Sequence, residues 1–338
     1  KVKKINVATP EDVARKIKFL LDRCMICGIV PFVILARYAF IGLSFLRTLR
    51  DLDIISKNEY DSILMQIPSV ATKFTNDLKK LQKKKVSLKY ILEKYGHLRP
   101  HSYDITSIPY EKCKELFYFD VEKKRKSSIK RKLKIDQIFL RNKKKIEYLM
   151  KDLDLNFSFN EFTSFIKESI SARENCKFEF MKSINDSLNY IEELGKFFNL
   201  DKEDLSYLTI SEILNLSSQS SADDFENLSK RIISYRRKKQ SLTKALRIPD
   251  VIYSEKNFFG FQKFSEKPNF ITRHSVIAPV SLVETAKKKI NLSGKIVAIR
   301  AADPGFDWIF GHNIAGLVTE YGGVASHMAI RAAEFDLP

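Results

Sequence analysis

The chain closes on Thr319–Pro338, TEYGGVASHMAIRAAEFDLP. A short β-rich run ends in a Gly-Gly pair, small residues lead to Ser326 and His327, and an alanine-rich apolar run follows. Gly322 and Gly323 permit backbone angles and close approaches that other residues resist. Ser326 is a natural N-cap, so a helix is predicted to begin at His327. The free N–H groups and positive dipole end of such a helix disfavour an imidazolium and favour a bound anion. A neutral ring beside an anion site suits a histidine that takes up phosphate and passes it on. A capping or surface histidine shares the same local pattern, so these residues alone leave both readings open.

Immediately upstream, GKIVAIRA and IAGLVTE read as short strands closed by glycine-containing or polar turns. DVIYS, FFGFQKF and NFITRHSVIAPV also read as strand-like pieces. Before about residue 250 the periodicity is helical. TPEDVARKIKFLLDRCM opens with Thr9 as N-cap, Pro10 at N1 and Glu11 and Asp12 at the positive end. Ser56–Leu81 and Asn160–Leu200 repeat an apolar residue every three or four positions. NLDKEDLSYLTISEILN reads as two short helices, and a basic helix to about Arg247 follows the polar break LSSQSSADD. The composition shift near 248–270 marks a domain edge. The predicted organisation is a helical domain over 1–250, a linker over 251–270 and an α/β domain over 271–338.

One stretch, Ile26–Leu46, carries a single charge, Arg37, in 21 residues. Its length allows a membrane span. Pro31 and the cost of a mid-helix charge in lipid favour a helix buried in protein. A buried Arg37 must then meet an internal carboxylate or a ligand.

At 338 residues the chain is long enough for two cored domains, and its net charge of +18 favours anionic partners without choosing among them. The runs Lys83–Lys85, Lys123–Lys126, Arg131–Lys132, Lys143–Lys145 and Arg236–Lys239 read as solvated helix faces, or alternatively as phosphate contacts of a nucleic-acid-binding scaffold. Four scattered cysteines form no disulfide framework, which points to a reducing, cytoplasmic setting. Cys24 and Cys27 form a CxxC without the second half of a zinc site, so no metal is expected there. No GxxxxGK[ST] or GxGxxG loop occurs. Lys1–Glu11 is polar and lacks an initiator Met, as expected of a piece of a longer protein.

GLVTEYGGVASHMAIRAAEFDLP resembles the phosphohistidine swivel domain of the PEP-utilising superfamily, which includes phosphoenolpyruvate synthase, pyruvate phosphate dikinase and rifampin phosphotransferase. There a strand ends in Thr-[Asp/Glu]-x-Gly-Gly, then [Ser/Thr]-His-x-Ala-Ile opens a helix that stops near a proline. Thr319, Glu320, Gly322, Gly323, Ser326, His327, Ala329, Ile330, Glu334 and Pro338 fit that pattern, and Asp303-Pro304 resembles the family's upstream turn. Ala325 and Ala333 depart from it; an Arg usual at the latter place stands two residues earlier, at Arg331. The resemblance implies that His327 is the phosphocarrier and that Glu320, Gly322, Gly323 and Ser326 form its phosphate loop. It implies a multidomain α and α/β fold, with a large helical acceptor-binding domain before a swivel domain that is incomplete at Pro338. ATP and Mg²⁺ would be held by an ATP-grasp domain of the same polypeptide, expected before Lys1.

YGHLRPHSYDITSIPYE and PFVILARYAFIGLSFLRTL resemble segments of the acceptor domain of rifampin phosphotransferases. The GHLRP…YDIT form is similar to the L-glutamine kinases of capsular phosphoramidate synthesis. This implies that Arg37, His97 and Arg99 bind the acceptor, L-glutamine, whose side-chain amide takes the phosphate. A rifampin-type antibiotic phosphotransferase and a phosphoenolpyruvate synthase-like enzyme are the alternatives within the superfamily.

Overall fold

The computed structural model describes residues 9–117, 133–219, 222–246, 249, 252–260, 268–272, 274–283, 291–323, 326–335 and 337–338. The Lys123–Lys126 and Arg131–Lys132 runs and Ala325 lie outside the described residues.

Helices dominate the first three-quarters of the chain: α1 (Pro10–Cys24), α2 (Val30–Asp51), α3 (Lys57–Gln66), α4 (Val70–Gln82) and α5 (Leu88–Tyr95), then α6 (Ile135–Arg141), α7 (Lys143–Asp152), α8 (Phe159–Phe197), α9 (Lys202–Ser206), α10 (Ile210–Gln219) and α11 (Ala222–Ala245). Their starts follow the sequence closely. Thr9 accepts from the Asp12 N–H, and Ser56, Ser69, Ser87 and Ser158 each accept from the N–H three residues on. The apolar periodicity over 56–81 divides into α3 and α4 at Ile67–Pro68, where α3 ends with Ile67 in an extended conformation, as a residue before proline prefers.

A single π-turn, Met25–Ile29, joins α1 to α2, so Pro10–Asp51 runs as one helical rod. The rod packs along α8. A Cβ on Gly28 would stand 2.6 Å from the Phe180 Cβ, and one on Gly42 would stand 2.6 Å from the Ser169 hydroxyl oxygen. Ala39, Leu46 and Leu49 are buried on that side. The opposite side is open to solvent. Ile26 is 68% exposed and Phe40 60%, with Val30, Val33, Ile34 and Ile41 about half exposed. The expectation that Ile26–Leu46 is buried therefore fails for this face. One helix partner covers only one stripe of an all-round apolar helix.

The C-terminal part holds a three-stranded parallel sheet, β1 (Val280–Val283), β2 (Ile296–Ala301) and β3 (Gly316–Tyr321), in the order β1-β2-β3. Of the strand-like pieces before it, NFITRHSVIAPV contributes β1 only from Val280, the described residues of DVIYS and FFGFQKF form no strand, and a 3₁₀ turn, Glu255–Phe258, joins those two pieces. A 3₁₀ segment, Pro304–Gly311, crosses from β2 to β3, and α12 (His327–Glu334) follows β3.

The sheet is firmly packed. Val283, Val297 and Ile299 share one core with Met328, Ala332 and Leu337. The same core continues through Phe306, Trp308 and Ile309 into Phe74, Leu78, Ile91, Tyr95 and Tyr110 of the helical part. The sheet unit is thus docked on α4, α5 and the Tyr95–Tyr110 loop, with Gln82 donating to the Gly311 carbonyl at 2.6 Å.

Candidate functional site

The turn between β3 and α12 lies at the carboxyl edge of the parallel sheet, where open α/β sheets place their ligand sites. Backbone geometry fixes it. Gly322 has φ of 144°, and a Cβ there would stand 2.6 Å from the Ala302 Cβ and 3.5 Å from both Thr319 Oγ1 and Ser326 Oγ. Only glycine passes without strain. The Ser326 N–H donates to the Gly323 carbonyl at 2.9 Å, which closes the turn. Ser326 is the N-cap of α12 and accepts from the Ala329 N–H at 3.4 Å, and His327 is the first helical residue, as expected. The side chain of His327 lies outside the described part. Ser326 takes the Ala329 N–H, and the remaining first-turn N–H groups of α12 have no acceptor within the helix, so this end of the helix suits an anion.

Glu320 stands across from Arg300 of β2, with Nε to carboxylate oxygen at 3.6 Å. Both side chains are largely exposed, so the pair contributes little to stability.

Ala302 links this turn to the helical part. It abuts Gly322 on one side, and Asp303 beside it caps the 3₁₀ segment by accepting from the Gly305 N–H at 2.7 Å. A Cβ on Gly305 would stand only 2.0 Å from the Arg99 carbonyl oxygen. Tyr110 donates its hydroxyl to the Gly305 carbonyl at 2.5 Å, and the His101 and Phe306 rings meet edge-on at 5.8 Å. The two sequence motifs, GHLRPHSYD and YGGVASH, are therefore joined through residues 302–306.

Arg331, in the second turn of α12, anchors the junction. It is 3% exposed, donates to the Thr75 hydroxyl of α4, lies 3.6 Å from the Asp307 carboxylate, and sits between the Phe310 and Phe335 rings. Cation–π contacts and a desolvated carboxylate together hold a guanidinium in such a place.

The acceptor candidates divide. Arg99 is buried and directs its guanidinium inward: to the Asp104 carbonyl at 3.3 Å, the Ser107 carbonyl at 3.1 Å and Asn185 Oδ1 at 2.5 Å. Burial lowers its pKa, opposed by the carboxylates of Glu111, Glu192 and Asp104. These bonds pin the 101–107 loop to α8. His97 is also buried, its ring edge-on to Phe178 at 4.7 Å, and burial pushes its pKa down to about 4, helped by nearby Lys182. The ring is neutral at pH 7, and its Nε2 has no protein partner.

Arg37 does not join them. It is exposed, in the middle of the open face of α2, so the expectation of a buried guanidinium is corrected. It lies between the Gly28 and Gly42 contacts along α8, whereas Arg99 reaches α8 at Asn185, beyond the Gly28 contact. The residues that sequence reasoning missed are Gly305, Tyr110, Asn185 and Arg331. Only Arg331 left a signal, as a lone cation on the apolar side of the last helix.

Among the described residues, no group of three His, Cys, Asp or Glu side chains is placed to hold a metal ion. Comparison with curated proteins gives no match. Residues 291–338 match the family described as the mobile domain of PEP-utilising enzymes, which places this segment in the PEP-utilising superfamily and associates it with phosphotransfer of the swivel type.

Proposed function

We propose that the chain is the acceptor and carrier part of a phosphotransferase, with His327 as the carrier. The observation that supports this best is the turn itself. A glycine at φ of 144° and a serine N-cap open a helix at a histidine on the carboxyl edge of a parallel sheet, inside the segment matched by the mobile domain. The imidazole attacks a phosphoryl group, the bond to the nucleotide leaving group breaks, and a phosphorus–nitrogen bond forms. The helix N-terminus favours the dianion so created. In the second step the phosphoryl group leaves the imidazole for a nucleophile of the acceptor, which gives up a proton.

ATP with Mg²⁺ is the proposed donor, held by an ATP-grasp domain or subunit beyond the described residues. The proposed acceptor is L-glutamine, taken at its side-chain amide, in the manner of a capsular phosphoramidate kinase. Docking of the 302–306 segment against Arg99, Pro100 and Tyr110 supports the 96–111 loop as the acceptor side. His97 and Arg99 belong to the frame of that side. Arg37, exposed on α2, is better withdrawn from it.

Incubation with the donor part, labelled ATP and Mg²⁺ should give an acid-labile label that is released on adding L-glutamine. His327→Asn should abolish it, while His312→Asn and His274→Asn retain it. A label that survives in His327→Asn refutes the carrier assignment. Release by rifampin-like acceptors but not by glutamine refutes the acceptor alone.

A further inference from the structure

We infer that the open face of the α1–α2 rod docks in the plane of an anionic membrane surface. The rod meets the length and hydropathy of a membrane-crossing helix, with a mean hydropathy of 2.1 in its most apolar window. Crossing would strip Ala39, Gly42 and Leu46 from α8, against which they pack closely. Lying in the plane keeps that packing and covers the other face. There Ile26, Val30, Val33, Ile34, Phe40 and Ile41 form an exposed apolar strip, interrupted by Arg37. A helix with one face held by protein and the other apolar and free can settle at the boundary between headgroups and acyl chains, as amphipathic helices do.

Charge chooses the occupant. Arg23, Arg37 and Arg47 are all exposed along this rod, and none has an ion pair among the described residues. Neighbouring acids are already engaged: Asp12 with Arg15, Asp22 with Lys18, Asp51 with Arg50. Arg23 and Arg47 stand about 36 Å apart at 1.5 Å per residue, with Arg37 between them. Arg23 and Arg47 stand at the two ends of the apolar strip, matching lipid phosphates at the rim of the hydrocarbon, and Arg37, within the strip, has a stem long enough to carry its guanidinium to the same phosphates. A second copy of the same face would bring guanidiniums toward guanidiniums, and a chain of net charge +18 adds to the attraction for anionic lipid.

The test uses the 338-residue chain and vesicles of phosphatidylcholine with or without phosphatidylglycerol. Sedimentation with the mixed vesicles should exceed that with neutral ones by about tenfold or more, and should weaken with salt. Ile34→Ser/Ile41→Ser leaves the net charge unchanged and should lower binding about tenfold. Arg37→Gln/Arg47→Gln should lower the preference for the anionic vesicles. Tyr38→Trp should add an emission that shifts blue on the vesicles and is quenched by brominated acyl chains. All five side chains are exposed in the fold, and circular dichroism checks that each variant is folded. Binding undiminished in Ile34→Ser/Ile41→Ser would assign the attraction to the basic runs elsewhere and overturn the inference. So would absence of binding, or a dimer in solution that Ile34→Ser/Ile41→Ser dissolves.

Discussion

Gly305→Ala should loosen the junction between the sheet unit and the helices. A Cβ at 305 would stand 2.0 Å from the Arg99 carbonyl oxygen and 2.3 Å from the Pro100 Cα, where ordinary contact begins at 3.4 Å. Both obstacles are backbone, and Arg99 is itself tied to Asn185, Asp104 and Ser107. No side-chain rotation relieves the clash, so the two backbones must part by about 1 Å, at the cost of an overpacked core, about 1–3 kcal/mol. The Tyr110–Gly305 hydrogen bond stretches with them. A penalty of that size lowers the docked population about 5- to 150-fold relative to undocked forms. The chain provides its own reporter, because its only tryptophan, Trp308, lies in the docked 3₁₀ segment at 1% exposure. Gly305→Ala should shift Trp308 emission to the red and lower the urea midpoint read by that emission, while the helical circular dichroism signal keeps its own midpoint. Identical emission and an identical midpoint in the variant would refute the reasoning.

Acid should destabilise the fold in two windows. His97 is held neutral, its pKa moved from 6.5 to about 4, so the stability present above pH 6.5 declines by about 3 kcal/mol as pH falls to 4; His97→Gln should flatten that window in pH-dependent urea titrations. Asp77 is buried and, against the cost of burial, bonded by Lys80, Lys94 and Tyr95, which bring its pKa down to about 2. Its contribution is complete above about pH 4 and lost toward pH 2, and Asp77→Asn should cost about 2 kcal/mol at pH 7 by thermal unfolding. Ser326→Ala removes the cap of α12 and should cost about 1 kcal/mol, read as faster amide exchange in the first turn of that helix. Gly322→Ala forces a Cβ to 2.6 Å from Ala302 at a φ of 144° and should abolish histidine labelling by the donor system while leaving the Asp77 acid window unchanged.

Local chemistry made much of this fold legible. Helix starts at Thr9 and Ser326 are written as side chains that accept the orphan N–H groups, and both are found where the sequence places them, whereas the caps at Ser56 and Ser158 went unread. The strands GKIVAIRA and IAGLVTE were equally readable as short β-branched runs. The errors concern tertiary partners. Whether the apolar surface of Ile26–Leu46 is covered depends on how many elements pack against it, and periodicity carries no such count. Arg37 and Arg99 look alike in the sequence, yet one is open to solvent and the other is enclosed by carbonyls of a loop that folds back on it. The use of Gly305 as a contact point is likewise invisible until the helical part arrives to meet it. The turn at Gly322–His327 was the most legible part of the candidate site, because its geometry is set by residues within a few positions of one another and of Ala302.

The shared core around Trp308 has a bearing on speed. Under the proposed function the carrier visits two stations in every cycle, and at one of them it is held by Trp308, Phe306, Arg331 and the Tyr110 hydroxyl. Departure from that station then has to tear apart packed aromatic surface, so its dwell time, and not the chemistry at the imidazole, would set the ceiling on turnover. Such an enzyme would speed up when its docking weakens and slow down when docking is reinforced. Its throughput would rise steeply on warming, as processes that open packed cores do.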